Sequence, residues 1–407
     1  MNKIMNTKIW GCAFLLLALV GCGGGGGGGG VSVPSALAVA ASSYENKNNQ
    51  DAALNAPQIA EITTSAPAGL SIAESLTFGD FFQQGAFSAF VAVSQTGSSA
   101  KAYFLKKNAS GVWEDSTSTL LSDSDRTVCS KVAQALTADF NNDGKPDVYV
   151  VCGGSAASTQ VLFLSQSAQS TYTRQETTGI SLQAWGAAAA DIDGDGRIDV
   201  VSSDGNSVVQ LTNNGVSNGV VSWTKKTQAQ MGMTSVTGFP TMPRKVFLLP
   251  NTGGRPDLVV TGDGDQSNNT MVWVKNQAGV FNFNGNSAVS SIADNYAMTG
   301  VNSQPINATI FDLLINSSNL YVLAKNATVE NASTATSMVV LRYELPSASP
   351  GTQLNLASSQ TVALPSNPYQ PSGGFVSQIK PNSSGQFVAY DADCVSTELR
   401  CSFVVTP

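Results

Sequence analysis

The sequence has 407 residues, a net charge of −7, 42% hydrophobic residues and 12% charged residues. The charged share is about half of the usual one, which excludes a long disordered polyelectrolyte. The acidic balance argues against a nucleic-acid partner and against electrostatic adhesion to anionic lipid. Gly, Ser, Asn, Thr, Ala and Val dominate the composition, which favours many short strands joined by polar turns.

The N-terminus has the features of an export signal. Lys3 and Lys8 supply positive charge, and the apolar stretch Ala13–Val20 is too short to span a bilayer. The tetrapeptide Leu19-Val20-Gly21-Cys22 resembles the lipobox of bacterial lipoproteins. This resemblance implies removal of residues 1–21 and lipidation of Cys22, which places a lipid anchor in the membrane. The alternative is an ordinary signal peptide with an incidental cysteine.

Eight consecutive glycines, Gly23–Gly30, follow the cysteine and predict a flexible tether. In the lipoprotein family, Asp directly after the lipidated Cys favours retention in the inner membrane. Gly23 stands there, so the resemblance implies an outer-membrane lipoprotein whose body faces the periplasm or the cell surface. We therefore divide the chain into a signal (1–21), a tether and linker (22–56) and a folded body (57–407).

Four cysteines remain after the signal and the anchor: Cys129, Cys152, Cys394 and Cys401. An even number in an oxidising compartment indicates disulfides. Three pairings are possible, and sequence proximity favours Cys129 with Cys152 and Cys394 with Cys401. A zinc site is the rival interpretation, but the chain has no CxxC spacing and no histidine.

An internal repeat determines the predicted fold. Residues 135–150 and 187–200 match almost position by position, and residues 249–260 form a third copy that has lost its acids. An eroded copy covers residues 79–93, and fainter copies lie at 311–322 and 380–389. When Asp80, Asp139, Asp191 and Leu249 are taken as equivalent, the spacings are 59, 52 and 58 residues.

Each good copy predicts a strand, a tight acidic loop and a second strand, followed by further strands. Third strands are expected at Val161–Leu164, Val208–Leu211 and Met271–Val274, with turn-rich stretches after them. About four strands in a repeat of roughly 55 residues indicate the blades of an all-β protein, a β-propeller. The Ala-rich segment at 186–190 suits an innermost strand near a propeller axis.

This pattern resembles the FG-GAP or VCBS repeat family, known from bacterial surface proteins and the head of integrin α-subunits. The resemblance covers roughly residues 70–405 and implies a propeller, usually of seven blades. Six motifs are visible here, so we predict six or seven four-stranded blades. A strand within residues 57–65 is expected to complete the last blade.

Alternating oxygen-bearing side chains in two loops predict Ca²⁺ sites. Such alternation turns every second side chain towards one cation, a Gly permits the sharp turn after position 5, and all-oxygen ligation suits Ca²⁺ better than Mg²⁺. The side chains of four residues in each loop, and the backbone carbonyl of a fifth, are the predicted ligands. They are Asp139, Asn141, Asp143, Lys145 (carbonyl) and Asp147, and Asp191, Asp193, Asp195, Arg197 (carbonyl) and Asp199. Like charges so crowded are expected to need compensation, and the resemblance implies that the ion stiffens the blade. The acidic stretch Gly262–Asp265 lacks this spacing and is interpreted as a turn.

The absence of histidine excludes Ser-His-Asp and Cys-His catalysis and any His-ligated metal centre. No phosphate-binding GxxxxGK[ST] loop is present either. We therefore expect a binding protein and no enzyme, with a protein or glycan ligand. The alternatives are an envelope scaffold in a multiprotein assembly and a propeller polysaccharide lyase that uses Lys, Arg or Tyr.

The predicted ligand face lies opposite the calcium loops, where the chain enters each innermost strand. Trp185 is suited to stack on a sugar or peptide side chain, and the basic residues are suited to meet carboxylates. The alternative role for a Trp at a strand entry is packing. The candidate residues are Lys131, Trp185, Arg244, Lys245, Tyr369 and Gln370.

Overall fold

The computed structural model describes residues 73–95, 98–154, 156–166, 169–233, 239–240, 242–249, 255–262, 271–281, 290–292, 298–299, 305–306, 309–316, 319–325, 337–344, 355–363, 377–381, 387–391 and 401–405. Contacts within the chain separate residues 1–32 from residues 33–407, and all described residues belong to the second unit. The predicted signal, Cys22, the linker and the strand expected at 57–65 lie outside the described residues.

The described residues are almost entirely strands and turns, arranged in five four-stranded antiparallel sheets that we call blades 1 to 5. Blade 1 contains β1 (Ala73–Gly79), β2 (Ser88–Gln95), β3 (Ser98–Lys107) and β4 (Trp113–Asp115). Blade 2 contains β5 (Val132–Ala138), β6 (Asp147–Cys152), β7 (Ser158–Gln166) and β8 (Gln169–Leu182). Blade 3 contains β9 (Ala187–Ala190), β10 (Asp199–Asp204), β11 (Ser207–Ser217) and β12 (Val220–Lys226).

Blade 4 departs from the simple meander because a small hairpin lies between its third and fourth strands. It contains β13 (Pro243–Leu249), β14 (Asp257–Gly262), β15 (Met271–Val274) and, after the hairpin β16 (Asn276–Gln277) and β17 (Val280–Phe281), the outer strand β18 (Ser290–Ile292). A second hairpin, β19 (Met298–Thr299) and β20 (Pro305–Ile306), precedes blade 5.

Blade 5 and a three-stranded sheet complete the described structure. Blade 5 contains β21 (Thr309–Asn316), β22 (Asn319–Lys325), β23 (Ser337–Glu344) and β24 (Asn355–Ala363). The last sheet contains β25 (Ser377–Pro381), β26 (Phe387–Asp391) and β27 (Cys401–Val405). Two single 3-10 turns, Thr117–Thr119 and Asp123–Arg126, connect blades 1 and 2. Among the described residues, no helix has the length and apolar character that a membrane span requires.

The first strands of successive sheets contact one another in chain order, from β1 through β5, β9, β13 and β21 to β25. A row of sheets that meet through their first strands is the arrangement of a β-propeller, so the predicted fold class is confirmed. The prediction of six or seven four-stranded blades is wrong for the described residues, which form five. The faint copy at 380–389 belongs to the three-stranded sheet.

The acidic loops connect the first and second strands of blades 2 and 3. In blades 2 and 3, Ala138 pairs with Asp147 and Ala190 pairs with Asp199, so eight residues form each loop. In blade 4, Leu249 pairs with Asp257 and encloses seven residues. The expected equivalence of Leu249 with Asp139 is therefore wrong by one position, because the third loop is one residue shorter.

Apolar side chains fill the space between neighbouring blades. Phe90, Phe104 and Phe163 pack between blades 1 and 2, with ring centroids 5.3 to 6.3 Å apart. The four alanines of β9 are all buried, as the small side chains of an innermost strand require. Continuous packing from blade to blade holds each acidic loop at the edge of a rigid sheet.

Candidate metal centre and ligand face

The loops of blades 1, 2 and 3 share left-handed residues at two equivalent positions. We number each loop from Asp80, Asp139 or Asp191 as position 1, which places Ser88, Asp147 and Asp199 at position 9. Positions 4 and 6 are left-handed in all three loops. Their φ angles are 54° and 70° at Gln83 and Gly85, 61° and 84° at Asn142 and Gly144, and 82° and 86° at Gly194 and Gly196. Glycine at position 6 meets this requirement without a steric cost.

The carboxylate at position 1 holds the turn. In blade 2, Asp139 accepts hydrogen bonds from the backbone N–H groups of Asp143 at 3.0 Å and Gly144 at 2.8 Å. In blade 3, Asp191 accepts them from Gly194 at 2.7 Å and Gly196 at 3.0 Å. This residue type is therefore needed for the loop itself, whether or not a cation binds.

The acids of the blade 3 loop converge. Carboxylate oxygens of Asp191, Asp193 and Asp195 lie within 4.8 Å of one another. The Oδ1 atom of Asp193 also accepts the N–H of Asp195, and Oδ1 of Asp195 accepts the N–H of Arg197. The Arg197 guanidinium forms an ion pair with Asp195 and donates from Nε to the carbonyl of Asn213 at 2.7 Å. Three carboxylates this close form a donor set that fits a hard divalent cation such as Ca²⁺.

The blade 2 loop has the same framework with one amide among its acids. The Asn141 side chain accepts the N–H of Asp143 at 3.0 Å and donates to the carbonyl of Ser165 at 3.0 Å. The Ser165 hydroxyl lies 3.1 Å from both carboxylate oxygens of Asp143. Lys145 donates from Nζ to the carbonyl of Gln166 at 3.4 Å. The loop is thus oriented by neighbours in its own blade and presents fewer charges than the loop of blade 3.

The carboxylate at position 9 is buried in both loops. Asp147 accepts the N–H groups of Phe140 at 2.8 Å and Asn141 at 3.1 Å, and that of Ser165 at 2.7 Å. Asp199 accepts the N–H of Asn213 at 2.8 Å. Burial raises the pKa of Asp147 and of Asp199 to about 7, and the neighbouring acids add to that rise. A bound cation would offset this cost of burying charge.

The structure brings together most of the predicted ligand-face residues. Nζ of Lys131 lies 4.6 Å from the ring centroid of Trp185, and Cζ of Arg244 lies 5.0 Å from it. These residues stand at the entries of β5, β9 and β13, so three blades contribute to one cluster. Lys245 lies against Gly186, where an added Cβ would approach its Cδ to 2.9 Å. Tyr369 and Gln370 lie outside the described residues.

This strand-entry cluster, Lys131, Trp185, Arg244 and Lys245, is largely buried. Trp185 is 3% exposed, Arg244 5% and Lys245 4%, whereas Lys131 is half-buried. A ring covered by cations from both neighbouring blades has no free face on which a sugar could stack. The packing role of Trp185 is thus the one that its surroundings favour, and Lys131 is the member most open to a ligand.

One predicted disulfide is confirmed: Cys129 and Cys152 are bonded, with Cα atoms 5.9 Å apart. The N–H of Gly153 donates to the carbonyl of Lys131 at 3.0 Å, so the disulfide lies beside the strand-entry cluster. Cys394 lies outside the described residues, and Cys401 begins β27. Their pairing stays a prediction, as does lipidation of Cys22.

Gly262 ends β14, and the rest of the acidic stretch after it lies outside the described residues.

Sequence reasoning missed the residues that hold the loops from outside. Asn213 and Asn276 lie in the turn-rich stretches predicted after the third strands, and both side chains reach a loop of the preceding blade. Aligning the predicted third strands by their ends would have placed the two asparagines at equivalent positions. The backbone N–H of Asn213 donates to Asp199 at position 9, and that of Asn276 donates to the corresponding acid of blade 4, Asp257.

Comparison with known proteins supports the repeat. Residues 139–202, which hold both acidic loops, match the model of the FG-GAP-like repeat family. No curated protein matches the sequence.

Several solved structures resemble the chain at low similarity. An endo-1,4-β-xylanase from Bacteroides thetaiotaomicron has 11% identity and a TM-score of 0.36, over 66% of this chain and 88% of that one. The periplasmic gluconolactonase of Pseudomonas aeruginosa has 16% identity and a TM-score of 0.35, over 68% and 70%. The GH43_1 enzyme from Xanthomonas citri has 11% identity and a TM-score of 0.35, over 85% and 91%.

These three proteins are enzymes, and this finding corrects the expectation that the chain is not an enzyme. The absence of histidine excludes only His-dependent chemistry. Similarity at this level does not transfer an activity, a substrate or a site from any of the three to this chain.

Proposed function

We propose that the chain is a calcium-stabilised β-propeller that is exported as a lipoprotein and binds a ligand at the cell envelope. The convergence of Asp191, Asp193 and Asp195 within 4.8 Å carries the calcium part of the proposal. The ion would be held by these carboxylates and by Asp199, and in blade 2 by Asp139, Asn141, Asp143 and Asp147. The carbonyls of Arg197 and Lys145 are the further proposed ligands. Bound Ca²⁺ would neutralise the charge that each loop gathers at the edge of its sheet.

Calcium binding is tested with the chelated protein. Adding Ca²⁺ is expected to raise the melting temperature, and Asp193→Ala is expected to remove part of the rise. The free concentration should span about 10⁻⁴–10⁻³ M, the range of extracellular modules. An equal melting temperature with Ca²⁺ and with chelator would refute binding at both loops.

The ligand is proposed to meet the face that carries the strand-entry cluster. Three blades contribute to this cluster, and a few convergent polar groups are typical of ligand sites. Lys131 is the least buried residue of the cluster, and its charge suits a carboxylate on an acidic glycan or protein.

Ligand binding is tested by screening neutral glycans, uronate-containing glycans and envelope proteins, with Ca²⁺ and with chelator. Lys131→Gln is expected to weaken capture of the acidic ligands. Lys106→Gln is the matched control, because Lys106 also lies over an aromatic ring, Phe82 at 5.4 Å, but on the loop side of blade 1. Substrate turnover is recorded in the same screen. Equal capture by both variants would remove Lys131 from the site.

Export and anchoring are proposed from the lipobox-like segment that ends at Cys22. Cys22→Ser is expected to abolish incorporation of labelled fatty acid and to release the body from the outer-membrane fraction. Retention of the unlabelled variant in that fraction would show that another segment attaches the protein.

A further inference from the structure

Blade 4 contacts the acidic loop of blade 3 at three consecutive residues. The first contact is a hydrogen bond of 3.0 Å from Nδ2 of Asn276 to the carbonyl oxygen of Ile192. Asn276 is 6% exposed, so this bond is shielded from water. The carbonyl belongs to position 2, directly between the proposed ligands Asp191 and Asp193.

The second and third contacts fall on the next two residues. Gly279, in the same hairpin as Asn276, lies so close that a Cβ added to it would be 3.0 Å from Cα of Asp193. A Cβ added to Gly194 would be 2.6 Å from Nε of Arg255, so the Arg255 guanidinium covers that residue. Blade 4 therefore confines the stretch that carries the middle ligand.

Asp257 holds the hairpin that contains Asn276 and Gly279 in position. Its carboxylate accepts the backbone N–H of Asn276 at 2.8 Å and Nε1 of Trp273 at 3.0 Å. The hairpin is closed in turn by the N–H of Gly279, which donates to Oδ1 of Asn276 at 2.9 Å. The blade 4 loop lacks the other acids but contains Asp257. Through Asn276, this residue helps to hold the acidic loop of blade 3.

The same relationship occurs one blade earlier. Nδ2 of Asn213 in blade 3 donates to the carbonyl of Phe140 in the blade 2 loop at 2.8 Å. Its backbone N–H donates to Asp199 at 2.8 Å, and its Oδ1 accepts the N–H of Gly215 at 2.8 Å. The same arrangement thus occurs in two successive pairs of blades. An asparagine is held by a buried acid of its own blade, and its side chain donates a hydrogen bond to the carbonyl at position 2 of the preceding loop.

We infer that each acidic loop is completed by the blade that follows it, with Asn276 acting as a positioning residue for the blade 3 loop and Asn213 for the blade 2 loop. The inference rests on the proposed calcium binding. Asn276 does not ligate the ion. It limits the conformations of the calcium-free loop, so the loop loses less conformational entropy when the ion binds. Calcium affinity at Asp191–Asp199 therefore depends on residues that offer no ligand.

The experiment measures calcium affinity by calorimetry in two backgrounds that each leave one loop competent. Asp143→Ala disables the blade 2 loop, and Asp193→Ala disables the blade 3 loop, because alanine offers no oxygen to the ion. Adding Asn276→Ala to Asp143→Ala is expected to raise the dissociation constant about tenfold, which corresponds to about 1.4 kcal/mol. Adding it to Asp193→Ala is expected to leave the dissociation constant unchanged.

Asn214→Ala is the matched control, because the side chain of this exposed asparagine bonds to Thr224 in its own blade. It is expected to change neither affinity. An Asn276→Ala variant that weakens both loops equally, or neither loop, would overturn the inference. If Asn276→Ala does not fold, Gly279→Ala disturbs the same contact, through strain at the left-handed φ of 89° and by crowding Asp193, and is expected to give the same loop-selective loss. A Gly279→Ala variant without that loss would equally overturn the inference.

Hydrogen exchange separates this inference from the proposed function. In the calcium-free protein the amide of Gly196, which is bonded to Asp191, is expected to exchange faster in Asn276→Ala than in the parent chain. If the parent binds no calcium, the proposed function fails while this exchange result still decides whether blade 4 holds the loop. Unchanged exchange would show that it does not.

Discussion

The backbone N–H of Gly85 donates a hydrogen bond of 2.8 Å to Oδ2 of Asp80. The equivalent bond joins Gly196 to Asp191 at 3.0 Å in blade 3. Blade 1 carries Phe82 and Gln84 where blade 3 carries acids, yet both loops adopt the same turn. Blade 1 forms this turn without acids at positions 3 and 5, so the further acids of blade 3 need another reason. The proposed binding of a divalent cation would supply that reason.

Blade 1 therefore offers an internal control for calcium stabilisation. With free ion at ten times its dissociation constant, each site adds about 1.4 kcal/mol, a rise of about 2–4 °C in melting temperature. Asp193→Ala is expected to lose one site's share of this rise. Asp80→Asn is expected to lower the melting temperature equally with Ca²⁺ and with chelator. A smaller calcium response in Asp80→Asn would contradict the assignment of the ion to blades 2 and 3.

The buried acids predict how stability depends on pH in the chelated protein. Burial raises the pKa of Asp147 and Asp199 from 3.8 to about 7, so the folded state binds their protons more tightly than the unfolded state does. Their stabilising contribution is full below about pH 4 and is lost as the pH rises towards about 7.

The chain has no histidine, so few other side chains titrate between about pH 5 and 8. The melting temperature of the chelated protein is expected to fall across this interval, and Asp199→Asn is expected to flatten the fall. Saturating Ca²⁺ should also flatten it, because the cation favours the charged form. A melting temperature independent of pH in the chelated protein would contradict this account.

The disulfide between Cys129 and Cys152 spans a sequence separation of 23 residues. Replacing both cysteines by serine is expected to lower the free energy of unfolding by about 3.5 kcal/mol, through greater freedom of the unfolded chain. Urea unfolding of the oxidised parent and the double variant measures this difference. Peptide mapping of the parent tests the second predicted pair, Cys394 with Cys401, and would refute it by finding either cysteine as a free thiol.

Substituting Trp185 is expected to lower the free energy of unfolding more than it affects ligand binding. Because its ring is 3% exposed and contacts Lys131 and Arg244, Trp185→Ala should cost about 3–5 kcal/mol in unfolding free energy. Trp185→Phe keeps an apolar ring and should cost less. A Trp185→Ala protein as stable as the parent would show that the ring is not a packing element.

The fold class could be predicted from a local sequence pattern that repeats along the chain. The repeat of strand, acidic loop and strand places β5 with β6 and β9 with β10, and the third strands β7, β11 and β15 include the segments predicted for them. The blade number did not follow, because the weaker copies lack the loop acids that mark a blade. The position of Leu249 was misjudged for a related reason: a loop shortened by one residue is visible only in the strand register.

The acids of the candidate site could be predicted from the sequence, but the residues that hold the acidic loops from the next blade could not. Alternating acids are a local property of a short segment. The grip of Asn276 on Ile192 joins residues 84 positions apart, and it exists only because one blade packs on the next. The burial of Trp185 beneath two cations is likewise a product of packing among three blades.

Calorimetric titration of the chelated protein with Ca²⁺ tests the central claim most directly. The account predicts two bound ions per chain, one bound ion in Asp193→Ala, and two in Asp80→Asn. A titration without binding, in a protein shown to be folded by circular dichroism, would contradict it.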